Sequence, residues 1–173
     1  SLLKLILKLL ASRVINRYKP VVIGVTGSVG KSTAKEAIFA VVICNGWTRK
    51  SDENFNNEIG VPMAVLGVKP IKGASASWRK WLQKLRLVWQ ILASFWLAFG
   101  FSQKYPKFLV LEIAADRPDD IEYLTQIVRP QMGVVTAVGE VPVHVQYYAS
   151  PEAVAKEKSK LIEALPTTGL AVL

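Results

Sequence analysis

Lys31, Ser32 and Thr33 close a run, Gly24-Val25-Thr26-Gly27-Ser28-Val29-Gly30-Lys31-Ser32-Thr33, whose residue types suit a chain of phosphates. The run follows the β-branched stretch Val21-Val22-Ile23 and precedes Ala34 to Cys44, which has helical length and composition. Between a strand and a helix, successive main-chain N–H groups and the helix N-terminus can surround an anion. Gly27 and Gly30 let the backbone approach it closely. Lys31 supplies positive charge for β- and γ-phosphates, and the hydroxyl of Ser32 or Thr33 can ligate the magnesium that accompanies them. Thr26 to Thr33 are therefore the expected nucleotide contacts. A strict phosphate loop carries glycine where Val25 stands, so the match is to a variant; the bland alternative is a glycine-rich structural turn.

A second candidate is Glu112, which ends the buried-strand pattern Phe108-Leu109-Val110-Leu111. An acid closing an apolar parallel strand lies at the carboxyl edge of the sheet, where ligands bind in open α/β folds. Its bland reading is a solvated strand end. Asn56 and Asn57, in the polar loop Ser51 to Asn57, can offer amides to a substrate without adding charge, or can simply stabilise a turn. Cys44 is the only cysteine, which excludes a disulfide framework and a cysteine-rich metal site within the chain and fits a reducing cytoplasm. Within the apolar stretch Ala37 to Cys44 it reads as a small buried hydrophobe.

The elements that must position these groups alternate. After the first strand and helix, Asn45-Gly46 is a stop. Phe108 to Glu112 is a strand, a helix signal runs from about Pro118 to Val128, and Gly133 to Val138 is a third strand. Ser150-Pro151-Glu152 then supplies a cap, a first-position proline and an acid for a helix to about Leu165. Buried strands alternating with helices predict an α/β fold, a mostly parallel sheet with helices on both faces. Residues 1–18 read as an amphipathic helix rather than a signal peptide, because Lys4, Lys8, Ser12 and Asn16 draw a polar line along it. The chain opens on Ser1 and closes on the strand-like run Gly169 to Leu173, which reads as a fragment.

With 173 residues and 51% hydrophobic composition, one core is expected, and the net charge of +9 suits a polyanionic partner without choosing among nucleotide, nucleic acid and anionic lipid. Nucleic acid is disfavoured, since the charge is scattered and the aromatics lie on an apolar face rather than between basic residues.

The phosphate loop with its displaced glycine resembles the signature of the Mur ligases and their folylpolyglutamate synthase relatives. Four further segments follow in that family's order: Asn54-Phe55-Asn56-Asn57-Glu58-Ile59-Gly60-Val61-Pro62, Leu111-Glu112-Ile113-Ala114-Ala115-Asp116, Val134-Val135-Thr136-Ala137-Val138-Gly139, and His144 leading into Glu157-Lys158-Ser159-Lys160-Leu161-Ile162. The first is closest to the members that add D-alanyl-D-alanine. The resemblance covers residues 19–173 and implies the N-terminal part of the ATP-binding central domain, with a P-loop NTPase-like fold. It also implies a cytoplasmic ATP- and magnesium-dependent amide ligase of peptidoglycan precursor synthesis. Such an enzyme would activate a UDP- or lipid-linked muramoyl peptide carboxylate as an acyl phosphate and join it to an amino acid or a dipeptide such as D-Ala-D-Ala. It implies catalytic roles for Lys31, Glu112, His144 and Lys158. Ser32 or Thr33 with Glu112 would hold one magnesium, His144 would stand near a second, and Lys158 falls where many relatives carry a carbamylated lysine.

Some features depart from that pattern. Ala137 replaces an asparagine, Gly139 to His144 is a longer link than usual, and Gln146 replaces an acid. The family's UDP-binding N-terminal domain, its later adenine contacts and its C-terminal domain lie outside residues 19–173, so this stretch alone is expected not to ligate and to work with the remainder of a ligase chain. An insertion at about 70–104 carries Trp78, Trp81, Leu85, Trp89, Leu92 and Trp96 at helical spacing, with Arg79, Lys80, Lys84 and Arg86 among them. Residues 78–101 read as an interfacial helix that would place the enzyme peripherally at the inner face of the membrane, or as a hairpin packed on the rest of the protein. The alternatives to a muramoyl-peptide ligase are a folylpolyglutamate- or cyanophycin-type ligase and a nucleotide-binding, membrane-associated module that does not ligate.

Overall fold

The computed structural model describes residues 2–53, 55–69, 89–90, 92–100, 104–114, 117–137, 148 and 150–173. Five parallel strands form one sheet in the order β2-β3-β1-β4-β5: β1 (Val21–Thr26), β2 (Thr48–Lys50), β3 (Phe108–Glu112), β4 (Met132–Val135) and β5 (Leu170–Val172). The chain leaves β1 toward β2 and β3 on one side, then crosses back to place β4 and β5 on the other. This topology brings the carboxyl ends of β1 and β3 to the point where strand order reverses, the usual ligand crevice of an open α/β sheet. Val25 pairs in register with Glu112, so the start of the glycine-rich loop and the acid are neighbours.

Alternate residues of the central strands build two cores, as a period of two requires. Ile23, Val25 and Val110 face α2 (Lys31–Val42), which covers them with Ala34, Ile38, Phe39 and Val42. On the opposite face Val22, Leu109 and Leu111 meet four helices: α1 (Leu2–Tyr18), α3 (Gly60–Leu66), α5 (Asp120–Val128) and α6 (Pro151–Glu163). A further helical stretch, α4 (residues 92–99, with 89–90 also helical), lies against α1. In α1 the residues Leu7, Leu10, Ala11, Val14 and Ile15 enter the main core, a three-and-four spacing that puts them on one helical face. In α5 it is Ile121, Leu124, Ile127 and Val128, each large apolar side chain contributing about 1.5–3 kcal/mol on burial.

The parallel α/β sheet read from the sequence is the fold observed. Two elements were not foreseen. β2 is a three-residue edge strand of Thr48, Arg49 and Lys50, too short and polar to carry a pattern. α3 starts at the end of the Asn54 to Pro62 motif and runs on to Leu66, and the amides at its start are met by Asn57 Oδ1, which accepts from Ile59 N at 3.2 Å and Gly60 N at 2.9 Å. Its other end is closed by Arg49, whose Nη1 donates to Val65 O at 2.7 Å, and by the Tyr105 hydroxyl, which donates to the same carbonyl at 2.7 Å. Burial lowers the pKa of that guanidinium and raises that of the Tyr105 phenol.

The expectation for Cys44 is corrected: it is exposed, in the 3-10 turn Ile43–Asn45 that ends α2. The apolar run from Ala37 misleads because α2 meets the sheet with only one stripe, leaving Val41 and Ile43 exposed as well. The Ser150 cap is present as read, its hydroxyl accepting from Ala153 N at 3.3 Å.

Candidate nucleotide-binding site

The loop after β1 has the backbone that its glycines predict. Gly27 and Gly30 both have positive φ, +149° and +85°, and Gly30 immediately precedes α2. A Cβ on Gly27 would stand 1.8 Å from Thr136 Oγ1, so only glycine fits there. The displaced glycine, Gly24, serves a different purpose. It lies inside β1, and a Cβ there would come within 2.9 Å of Leu161 Cδ1, so its absence lets α6 pack close to the strand.

Thr136, just past β4, braces the loop: its hydroxyl donates to Val29 O at 2.7 Å. Next to it, Ala137 O accepts from Ser28 N at 2.9 Å and Val29 N at 3.4 Å. Two of the amides expected to face a phosphate thus have a protein acceptor in this state. The amide end of α2 has neither a side-chain cap nor an acid in its first turn, leaving its partial positive charge for an anion. Lys31 folds back over the loop, Nζ donating to Ser28 O at 3.2 Å.

Glu112 is the hub of the polar groups, and it is only 6% exposed. Its Oε2 accepts from Ser32 Oγ at 2.8 Å, its Oε1 accepts from Asn56 Nδ2 at 3.2 Å, and its own N–H donates to Ser51 Oγ at 3.0 Å. A buried carboxylate needs countercharge. Lys35 supplies it: this side chain is 1% exposed, with Nζ 3.9 Å from Glu112 Oε2 and also 3.9 Å from Glu36 Oε1. Sequence reasoning missed Lys35, since Lys35-Glu36 in a helix reads as a solvated pair. Its signal was the position four residues after Lys31, one turn along the helix that carries the loop's own lysine.

The donor set can be tested against magnesium, which takes oxygen ligands in octahedral geometry with neighbouring ligands about 3 Å apart. A hydroxyl and a carboxylate oxygen 2.8 Å apart, at the mouth of the loop, fit that requirement. Thr26 Oγ1 nearby in sequence is buried without a hydrogen-bond partner, a polar atom left over at the strand end.

Of the residues singled out in the sequence, the structure brings together Ser32, Asn56 and Glu112, while Lys31, next to Ser32 in the chain, turns its Nζ to Ser28 O. Asn57 lies next to them but commits its oxygen to α3. Lys158 is buried on α6, while His144 lies outside the described residues. Among the described residues no cluster of three His, Cys, Asp or Glu side chains forms. Glu157, beside Lys158, accepts from Ile121 N at 3.2 Å and pairs with Lys160 at 2.7 Å, and so ties α6 to the start of α5.

Comparison with known proteins adds to this geometry. Residues 97–173 match the Mur ligase middle domain. A UDP-N-acetylmuramoyl-tripeptide--D-alanyl-D-alanine ligase of Synechocystis sp. is 31% identical over 157 residues, covering 91% of this chain and 27% of the relative. The ligase of the same name from Bacillus subtilis is 28% identical over 151 residues, 87% of this chain and 25% of its own length. Among solved structures, MurF of Thermotoga maritima in complex with ADP superposes with a TM-score of 0.69 at 26% identity, over 99% of this chain and 31% of that one. MurF of Acinetobacter baumannii gives a TM-score of 0.70 at 22% identity, over 97% and 29%. The chain thus spans between a quarter and a third of these proteins. A family match over the second half and likenesses running through both halves agree with the loop and acid described above: residues 97–173 belong to the Mur ligase middle-domain family, and the chain as a whole is similar to MurF proteins.

Proposed function

We propose that this chain is the triphosphate-gripping part of an ATP-dependent ligase, one that joins an amino acid or a dipeptide such as D-Ala-D-Ala to a UDP- or lipid-linked muramoyl peptide in the cytoplasm. The observation that carries the reading is the Ser32–Glu112 pair, 2.8 Å apart at the carboxyl edge of the sheet and directly beside the loop. The named relatives favour this substrate class over folates, and the ADP held by the Thermotoga maritima protein supports the nucleotide.

In this reading the amides of Thr26 to Thr33 wrap the phosphates, with Ser28 and Val29 exchanging Ala137 O for phosphate oxygens. Lys31 turns from Ser28 O to the β- and γ-phosphates. Magnesium would be held by Ser32 or Thr33 and Glu112, and when bound it neutralises charge on the phosphates. An oxygen of the substrate carboxylate forms a bond to the γ-phosphorus, the bond to the bridging oxygen of ADP breaks, and ADP leaves with that electron pair. The amine nitrogen of the incoming donor then attacks the acyl carbon, loses its proton, and inorganic phosphate departs as the amide forms. There is little covalent chemistry for the protein to do, so positioning and charge dominate. Asn56 is assigned to hold Glu112 in line and, with Asn57, to face the acceptor. His144 and Lys158 are assigned to a second metal position.

The test is ATP-dependent addition of D-alanyl-D-alanine to the tripeptide precursor by the full-length protein, read as ADP release and product mass together. Turnover confined to folate and glutamate would replace the substrate class. Nucleotide binding with no turnover on any acceptor would leave a non-ligating module.

A further inference from the structure

We propose that the joint outer face of α1 and α4 docks on an anionic lipid bilayer surface. The proposal stands apart from the ligase reading. Leu2, Leu5 and Leu9 are all exposed, and their spacing of three and four places them on one face of α1, away from the core residues Leu7, Leu10 and Val14. One turn further on that face is Arg13, whose guanidinium lies 4.6 Å from the Phe99 ring centroid and whose Nε donates to Ala98 O at 3.2 Å. The Tyr18 hydroxyl donates to Leu97 O at 3.1 Å. Arg13 and Tyr18 therefore tie α4 to the end of α1 that follows the leucine stripe.

There the burial is the reverse of a core helix. α4 fully buries only Ser94 and Ala98 and half-buries Leu97 against the core, whereas Trp89, Leu92, Phe95, Trp96 and Phe99 are exposed, the two tryptophans at 72% and 64%. Trp89, Leu92, Ala93, Phe95 and Trp96 also enclose a hollow. Eight large apolar side chains are thus exposed on two tied helices, more apolar surface than soluble proteins usually leave open.

Charge selects the occupant. Residues 1–19 and 69–107 contain 13 of the 22 lysines and arginines and none of the 13 acids. An apolar face rich in tryptophan within acid-free, basic segments fits an interface of anionic headgroups over acyl chains. A second copy of this chain would bring two sets of strongly basic segments together, which like-charge repulsion opposes. No described helix is long and apolar enough to cross a bilayer.

The experiment is sedimentation of the full-length protein with vesicles of phosphatidylcholine alone or with one third phosphatidylglycerol. Binding to the anionic vesicles is expected, several-fold weaker to neutral ones and weaker again in high salt. Trp89→Ser with Trp96→Ser, and separately Leu5→Ser with Leu9→Ser, should each reduce partitioning about tenfold or more, while nucleotide affinity in solution stays unchanged. Native protein that remains in the supernatant with anionic vesicles would overturn the proposal, as it would if another part of the chain covers this face. Undiminished binding by both double variants would overturn it equally. Ligase activity in vesicle-free solution is scored separately, so either idea can fail without the other.

Discussion

The corner between β1 and β3 and the helix α4 lie in the same chain yet are built on opposite rules. At the corner, Glu112 is held by Ser32, Asn56 and Lys35 before any ligand arrives. Along α4, most large apolar side chains face outward, and the helix is held by Ser94, Leu97 and Ala98 and by Arg13 and Tyr18 reaching across from α1. Preorganised charge is what a site needs to act on a phosphate, because groups fixed in advance need not reorganise during the reaction. Exposed apolar area, by contrast, acquires its meaning from whatever covers it. The two regions should therefore respond to mutation in different observables.

The largest effect belongs to Lys31→Ala, which removes the one cation carried by the loop itself. ATP affinity of the intact protein is expected to fall about a thousandfold, about 4 kcal/mol, with unfolding by urea unchanged because Lys31 bonds only a loop carbonyl. Titration calorimetry reads the first and circular dichroism the second. Undiminished affinity would remove the loop from nucleotide binding and erase the contrast between the two regions.

Glu112→Gln comes next. The amide keeps the shape and an acceptor for Ser32 but removes the charge, so turnover should drop about a hundredfold, about 2.7 kcal/mol, with ATP affinity much less affected. Full turnover in this variant would return Glu112 to the status of an ordinary strand end. Lys35→Met and Gly27→Ala act on stability. The first leaves a buried carboxylate without its countercharge and should cost about 2–4 kcal/mol, less when magnesium and nucleotide are present. The second forces a Cβ onto Thr136 and should cost about 1–3 kcal/mol. Midpoints of urea unfolding, with and without nucleotide, check both.

The sequence made the corner legible where residue type and backbone were bound together. Glycines at positive φ, a lysine and hydroxyls at a helix start, and an acid at a strand end can be read without coordinates, as can the strands from Val21 and Phe108. What stayed hidden depended on distance across the fold. Lys35 is buried because α2 lies on the sheet beside Glu112, and Thr136 braces the loop because β4 pairs with β1. Thr136 has no local signature, and that of Lys35 is no more than its position one turn after Lys31. α3 was obscured because its amides are capped by an Asn that also reads as a substrate amide, and because Pro62 in its first turn looks like a break when it is a tolerated position. Cys44 was misplaced by composition, which counts apolar residues but not which stripe of a helix meets the core.

The smallest effect is the most informative about α4. Trp96→Ser exchanges a large apolar side chain for a small polar one, a change that costs several kcal/mol in a core. Here Trp96 is already 64% exposed, and the unfolding free energy should move by no more than about 0.5 kcal/mol. Ala98, two residues on and 1% exposed beneath Arg13, sets the internal control: Ala98→Leu should overpack the α1 contact and cost about 1–3 kcal/mol. The pair is measured in the full-length protein by urea unfolding. A neutral Trp96 beside a sensitive Ala98 means that the outward face of α4 is open in the whole molecule and free to meet lipid. A loss above about 1.5 kcal/mol at Trp96 means that another part of the chain covers that face. The contrast between a preset corner and an open surface would then hold only within the residues described.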